Sequence, residues 1–184
     1  MNRLPAANVA LFWAIAVTGA GVDLITKWLA FTRVGEPSST SKLVLWPGVF
    51  SFTTSYNQGA LWGIGRTLQH SNLIFAALSA IAAVVILYWL FWQRAAKERL
   101  YAIALGLIMA GTVGNCYDRI VWKQVRDWIY FELINWPIFN IADSCLVCGA
   151  GVLVIQAIVT ECRAYRTARN VAPANPAAAE TSEP

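Results

Sequence analysis

Two aspartates at the ends of apolar stretches carry most of the chemistry this sequence offers. Asp118 closes the run from Ile103 to Gly114, within Gly114-Asn115-Cys116-Tyr117-Asp118-Arg119, and Asp143 opens the next run, within Phe139-Asn140-Ile141-Ala142-Asp143. The polar and aromatic excursion between them delivers both acids to one membrane face. Ionisable groups at such depth are costly and rare without a task. Each acid follows an asparagine by three positions, which on a helix sets amide and carboxyl on one face, a turn apart. Two carboxyls held close cannot both ionise cheaply, so the stable arrangement shares one proton. One group then accepts a proton from water while the other donates to a carbonyl, which is the equipment for hydrolysing an amide. A helix N-terminus favours the anion of Asp143 and a C-terminus disfavours that of Asp118. Asp143 is therefore expected to be the base and Asp118 the proton holder, with the charge of Arg119 opposing that order. The same two acids suit cation binding or proton relay in a transporter equally well, although no internal repeat of the transporter kind is visible.

The elements that must position these acids are membrane spans. Of the 184 residues 58% are hydrophobic and only 13% charged, and the mean hydropathy is +0.52, far from a soluble globule. Four spans are expected, at about 8–30, 73–92, 100–117 and 141–160, each near the length a bilayer requires. They form one domain over residues 1–162, followed by a tail, 163–184, that is basic and then disordered. The first span carries Asp23 and Lys27, four apart and able to neutralise each other along one face. It runs past the usual length of a cleaved leader, so retention is expected. The basic link after the second span and the basic tail mark one side as cytoplasmic, with both termini there. Six of the nine Trp fall on the other side, near the acids.

On that outer side, Lys42–Trp46 and Val49–Tyr56 flank Pro47-Gly48 and read as a β-hairpin, part of a platform over about 42–63. Trp122, Val125, Trp128 or Ile129, and Leu133 fall at helical spacing and predict a short amphipathic helix on the membrane surface. Asp127 lies in it and, on spacing alone, reads as a solvated or capping acid. The fold class is thus a mostly α integral membrane protein with a small extracytoplasmic hairpin platform and a short interfacial helix.

Other chemistries find less support. The single His leaves no His-based metal site, and no Gly-x-Ser-x-Gly elbow is present. No metal or cofactor is expected. Cys145-x-x-Cys148 has a redox spacing, but it lies in a membrane-length helix without a thioredoxin-like context; packing is the plainer role. The net charge of +4 is scattered, without the basic stripe that tracks nucleic acid.

Five segments, in order and spacing, resemble those of lipoprotein signal peptidase (signal peptidase II). They are Asp23-Leu24-Ile25-Thr26-Lys27, Asn57-Gln58-Gly59-Ala60, Gly114 to Arg119, Val125-Arg126-Asp127-Trp128-Ile129 and Phe139 to Asp143, within roughly residues 8–160. The resemblance implies a bacterial inner-membrane aspartyl endopeptidase that removes the signal peptide from diacylglyceryl-modified prolipoproteins just before the lipidated cysteine. It implies Asp118 and Asp143 as the catalytic pair, Asn115 and Asn140 as their orienting groups, and Arg119 and Ala142 as support. Asp23 and Lys27 would brace the first helix, Asn57, Gly59 and Ala60 would hold substrate backbone, and Asp127 would help fix the outer helix. Thr112, Arg126 and Leu61-Trp62 depart from the family's usual glycine, apolar residue and Ala-Phe pair. The implied partners are lipidated precursors and membrane lipid, met by a monomer; whether the residues alone favour a peptidase, a transporter or a thiol oxidoreductase stays open.

Overall fold

The computed structural model describes residues 5–59, 70–92 and 97–171. Four helices account for most of them: α1 (Ala6–Arg33), α2 (Ser71–Phe91), α3 (Arg99–Val121) and α4 (Ile141–Val171). Each is long and apolar enough to cross a membrane. Large apolar side chains on their outer faces are left bare, with Val17 and Val84 each 66% exposed and Ile155 60%. Such faces belong against lipid, where apolar exposure carries no penalty and close packing of small residues joins helices. The fourth helix begins at Ile141 as the sequence implies, but it continues to Val171 and carries Arg163 and Arg166 in helical turns.

α3 is the most buried of the four. Phe12, Ile86, Leu90, Ala102, Leu105 and Met109 interlock α1, α2 and α3, and α4 lies along α3 and also touches α1. The approach of α3 to α4 depends on a missing side chain: a Cβ on Gly111 would overlap the carbonyl oxygen of Ala142 and the side chain of Leu146. Gly111→Ala is therefore expected to force the two helices apart at a cost of about 1–3 kcal/mol. A lowered melting temperature in detergent is the readout; an unchanged one would contradict the close approach.

The platform is a three-stranded antiparallel sheet in the order β1 (Lys42–Trp46), β2 (Phe50–Asn57), β3 (Val125–Phe131). The hairpin turns where expected, and Gly48 adopts φ 70° there, a conformation that favours glycine. The predicted interfacial helix does not form. Val125–Phe131 is instead the third strand, and only Glu132–Ile134 makes a single 3₁₀ turn. The reason is composition: the segment is rich in β-branched and aromatic residues, and its first five residues are buried on both faces. A strand covered on both sides shows no alternation and can mimic helical spacing. Of the expected platform at 42–63, the strands end at Asn57, and Ala60, Leu61, Trp62 and Gly63 lie outside the described residues.

Beyond β3, Phe139 runs alongside it. Phe139 O accepts from Trp128 N at 3.0 Å and Ile129 N at 2.9 Å, and Phe139 N donates back to Ile129 O at 3.1 Å. This pairing lays the start of α4 against the middle of β3.

Candidate active site

The first turn of α4 is built by two residues of Phe139-Asn140-Ile141-Ala142-Asp143. Asp143 N donates to Asn140 Oδ1 at 2.8 Å, and Asn140 N donates to Asp143 Oδ2 at 3.2 Å. These reciprocal bonds form a capping box that satisfies backbone donors a helix start otherwise leaves open. A third donor, Ala142 N, reaches Asp23 Oδ1 at 2.8 Å. The carboxyl of Asp143 thus sits where the helix dipole favours an anion. The other Asn-x-x-Asp, Asn115 to Asp118, has a different context, inside the last turns of α3.

Asn140 has a second task. Its Nδ2 donates to Asp127 Oδ1 at 2.6 Å and to Asn115 Oδ1 at 3.1 Å. Asn115 Nδ2 in turn donates to Asp143 Oδ1 at 2.8 Å. One asparagine therefore touches both Asp127 and Asp143, and another closes the network from α3. Burial pushes the Asp127 carboxyl well above the usual carboxylate range, and the negative charge of Asp143 adds to this. Lys27 and hydrogen bonds from Asn140 and Asn57 oppose the rise without cancelling it.

Asp118 stands elsewhere in the network. It is fully buried, with Oδ2 3.2 Å from Lys27 Nζ and Oδ1 2.7 Å from Arg126 Nη2. Arg126 Nε and the Arg126 backbone N–H also donate to it, at 3.2 and 2.9 Å. Lys27 is shared further, 2.7 Å from Asp23 Oδ2 and 3.0 Å from Asn115 Oδ1. Asp23, Lys27, Asp118 and Arg126 form a buried set of two acids and two bases. The expected sharing of a proton between Asp118 and Asp143 is not the arrangement found. Two cations hold Asp118, while Asp127 is the carboxyl raised, by burial first and by the charge of Asp143 in addition. The cations on Asp118 are Lys27 and Arg126 rather than Arg119, which was the expected source of opposition.

A cavity of about 390 Å³ opens beside Asp143. α3 forms its floor with Gly111, Thr112 and Asn115, α2 one wall with Phe75 and Leu78, and α4 the other with Leu146 and Val147. Asn57, Gly59, Arg119 and Asp143 gather its polar groups. Arg119 donates to Gly59 O at 3.3 Å and Asn115 O at 3.4 Å, and its guanidinium lies 5.5 Å from the Phe75 ring centroid. Asn57 Oδ1 accepts from Gly59 N at 3.0 Å, folding the end of β2 toward the cavity. Of the residues expected at the site, Asp23, Lys27, Asn57, Gly59, Asn115, Arg119, Asp127, Asn140, Ala142 and Asp143 all meet in this network. Ala60 lies outside the described residues. The residue without an assigned role was Arg126, and its signal was a lone guanidinium within an apolar, aromatic strand.

Residues 15–159 match the family profile of signal peptidase (SPase) II. The chain belongs to the signal peptidase II family. Its similarity to named members is spread over most of its length. It is 39% identical over 166 residues to a lipoprotein signal peptidase of Rhodopirellula baltica, covering 83% of this chain and 73% of that one. A lipoprotein signal peptidase of Symbiobacterium thermophilum is 36% identical, with 80% of this chain and 93% of the relative covered. One from Chlorobaculum tepidum is 33% identical with the same shares covered. Two solved bacterial membrane enzymes have the same fold. One has TM-score 0.69 at 28% identity, covering 79% of this chain and 85% of its own; the other has 0.68 at 27%, covering 78% and 90%. Membership makes the chain a peptidase, and four apolar helices with bacterial relatives make it a multi-pass bacterial membrane protein. All five segments from Asp23 to Asp143 fall inside the matched region.

Proposed function

We propose that this signal peptidase II family member removes the signal peptide from diacylglyceryl-modified prolipoproteins, cutting just before the lipidated cysteine. The reaction is metal-independent acid–base hydrolysis by an aspartyl pair, and the pair is Asp143 with Asp127. Asp118 belongs to the buried ionic set that supports them. The observation that carries this reading is Asn140, hydrogen-bonded at once to Asp127 and Asp143, beside a cavity that Asp143 lines. Asp143, at a helix N-terminus, is suited to the anionic role. Asp127, buried and raised, is suited to hold a proton.

In the reaction Asp143 takes a proton from water as the water oxygen attacks the scissile carbonyl. Asp127 supports the developing oxyanion with its proton and then passes that proton to the departing amine. The C–N bond breaks, leaving a new carboxyl on the signal peptide and an amine on the lipidated cysteine. Asn115 and Asn140 hold the carboxyls in place, so that orientation is settled before substrate arrives. The apolar walls from α2 and α4 suit a signal-peptide helix entering from the side, with the acyl chains left in lipid. On this reading both termini are cytoplasmic, the site faces the extracytoplasmic side of the inner membrane, and a monomer suffices because one chain supplies every group.

The test is cleavage of a diacylglyceryl-modified precursor by detergent-purified protein, read by mass spectrometry of the products. Absence of cleavage, together with ion flux in proteoliposomes, would replace the peptidase chemistry with transport. The pH profile follows from the role of Asp127. The rate is expected to fall on the alkaline side as Asp127 loses its proton, through its raised pKa, as it does when a general acid is spent. A kcat that keeps climbing through the alkaline range would rule out Asp127 as the donor.

A further inference from the structure

The strand that carries Asp127 is poorly held by its own ladder at the place that matters. β2 pairs Phe52 with Ile129 but Ser55 with Asp127, so the register slips between those two pairs. A bulge of this kind leaves the local hydrogen bonding irregular. Beside it, Arg126 is fastened at each polar end. Its Nε and Nη2 both reach Asp118 Oδ1, its backbone N–H reaches Asp118 Oδ2, and its carbonyl accepts from Asn140 Nδ2 at 3.5 Å. The guanidinium also lies 4.9 Å from the Trp122 ring centroid, and the residue is only 5% exposed. A charge so fully enclosed is expensive unless every bond is made, and a packed apolar side chain would fill the same place without that cost.

We propose that Arg126 is a positioning residue: by bolting β3 to the end of α3 through Asp118, it sets where Asp127 stands relative to Asp143. This inference rests on the reading of Asp127 and Asp143 as the reacting pair. The forked guanidinium supplies direction as well as charge, since two donors on one oxygen fix the angle of the strand. Lysine has the charge but lacks the fork, and methionine keeps the length and loses both. A displacement of Asp127 by a fraction of an ångström to an ångström leaves substrate binding intact, because the cavity is lined by other residues, but it spoils the alignment of donor and base.

The experiment compares Arg126→Met and Arg126→Lys with the unchanged full-length protein, purified in detergent, on a diacylglyceryl-modified precursor. Arg126→Met is expected to lose about 10²-fold in kcat with KM within about twofold. Arg126→Lys is expected to regain about tenfold of that loss. Should Arg126→Met fail to fold, Arg126→Lys alone is compared with the unchanged protein, and the same kcat and KM split decides. A kcat within about twofold of the unchanged protein, or a loss confined to KM, overturns the proposal. Asp127→Asn is run beside them. If it is inactive while Arg126→Met is normal, the positioning role falls and the acid pair stands; if it is fully active, both fall.

Discussion

Asp143→Asn and Asp127→Asn are each expected to lower precursor cleavage by about 10²- to 10⁴-fold, the usual share of a positioned acid or base. Both variants should insert and fold, with Asp127→Asn melting near the unchanged protein and Asp143→Asn about 1 kcal/mol less stable. The isosteric amide can still accept from Asn140 Nδ2 in the case of Asp127; in the case of Asp143 it keeps the bond from Asn115 Nδ2 but loses the capping bond from Asn140 N. What the amide cannot do is take or give a proton at the reacting atom. Asp118→Asn has a different signature: it removes the counter-charge of Lys27 and Arg126, so it lowers stability as well as weakening the Arg126 link that sets Asp127. Paired measurements of cleavage and thermal melting separate the cases. Normal turnover by folded Asp127→Asn would remove that residue from the chemistry.

Lys27→Met is expected to destabilise the protein by about 3–5 kcal/mol, the cost of breaking a buried ionic set by taking away one partner. Lys27 touches Asp23, Asp118 and Asn115, and neither it nor the two acids has any exposure. Without it, two buried carboxyls are left with one guanidinium. The damage should spread to α4, because Asp23 also caps Ala142 N. The measurement is thermal unfolding in detergent, with Lys27→Arg as the variant that keeps the charge and recovers part of the loss. Melting of Lys27→Met at the temperature of the unchanged protein would show that the set is not under electrostatic strain.

The four spans and the hairpin were legible because their signals are local: long apolar runs, and β-branched residues around Pro47-Gly48. The third strand was not, because Val125, Ile129 and Leu133 fall at helical intervals, while the strand partners of Val125 and Ile129, Asn57 and Phe52, lie about seventy to eighty positions earlier. Pairing at that distance leaves no mark in a short window. The same blindness moved attention from Asp127 to Asp118. Asn115 to Asp118 and Asn140 to Asp143 have identical spacing, yet one pair ends α3 and the other starts α4, and spacing cannot tell a capping box from a ridge on a helix. Asp127 looked like a solvated acid only while its neighbours, on α1, β2 and α4, were out of view. Arg126 read as a departure in an apolar strand, and the carboxylate that accounts for it lies eight positions away at the end of another element.

Asn140 leaves this protein no separation between standing up and working. The bonds that begin α4 are the bonds that aim Asp143, and the same side chain reaches Asp127. A replacement at 140 therefore cannot be filed as harming either endurance or turnover, since the molecule has a single joint for the two.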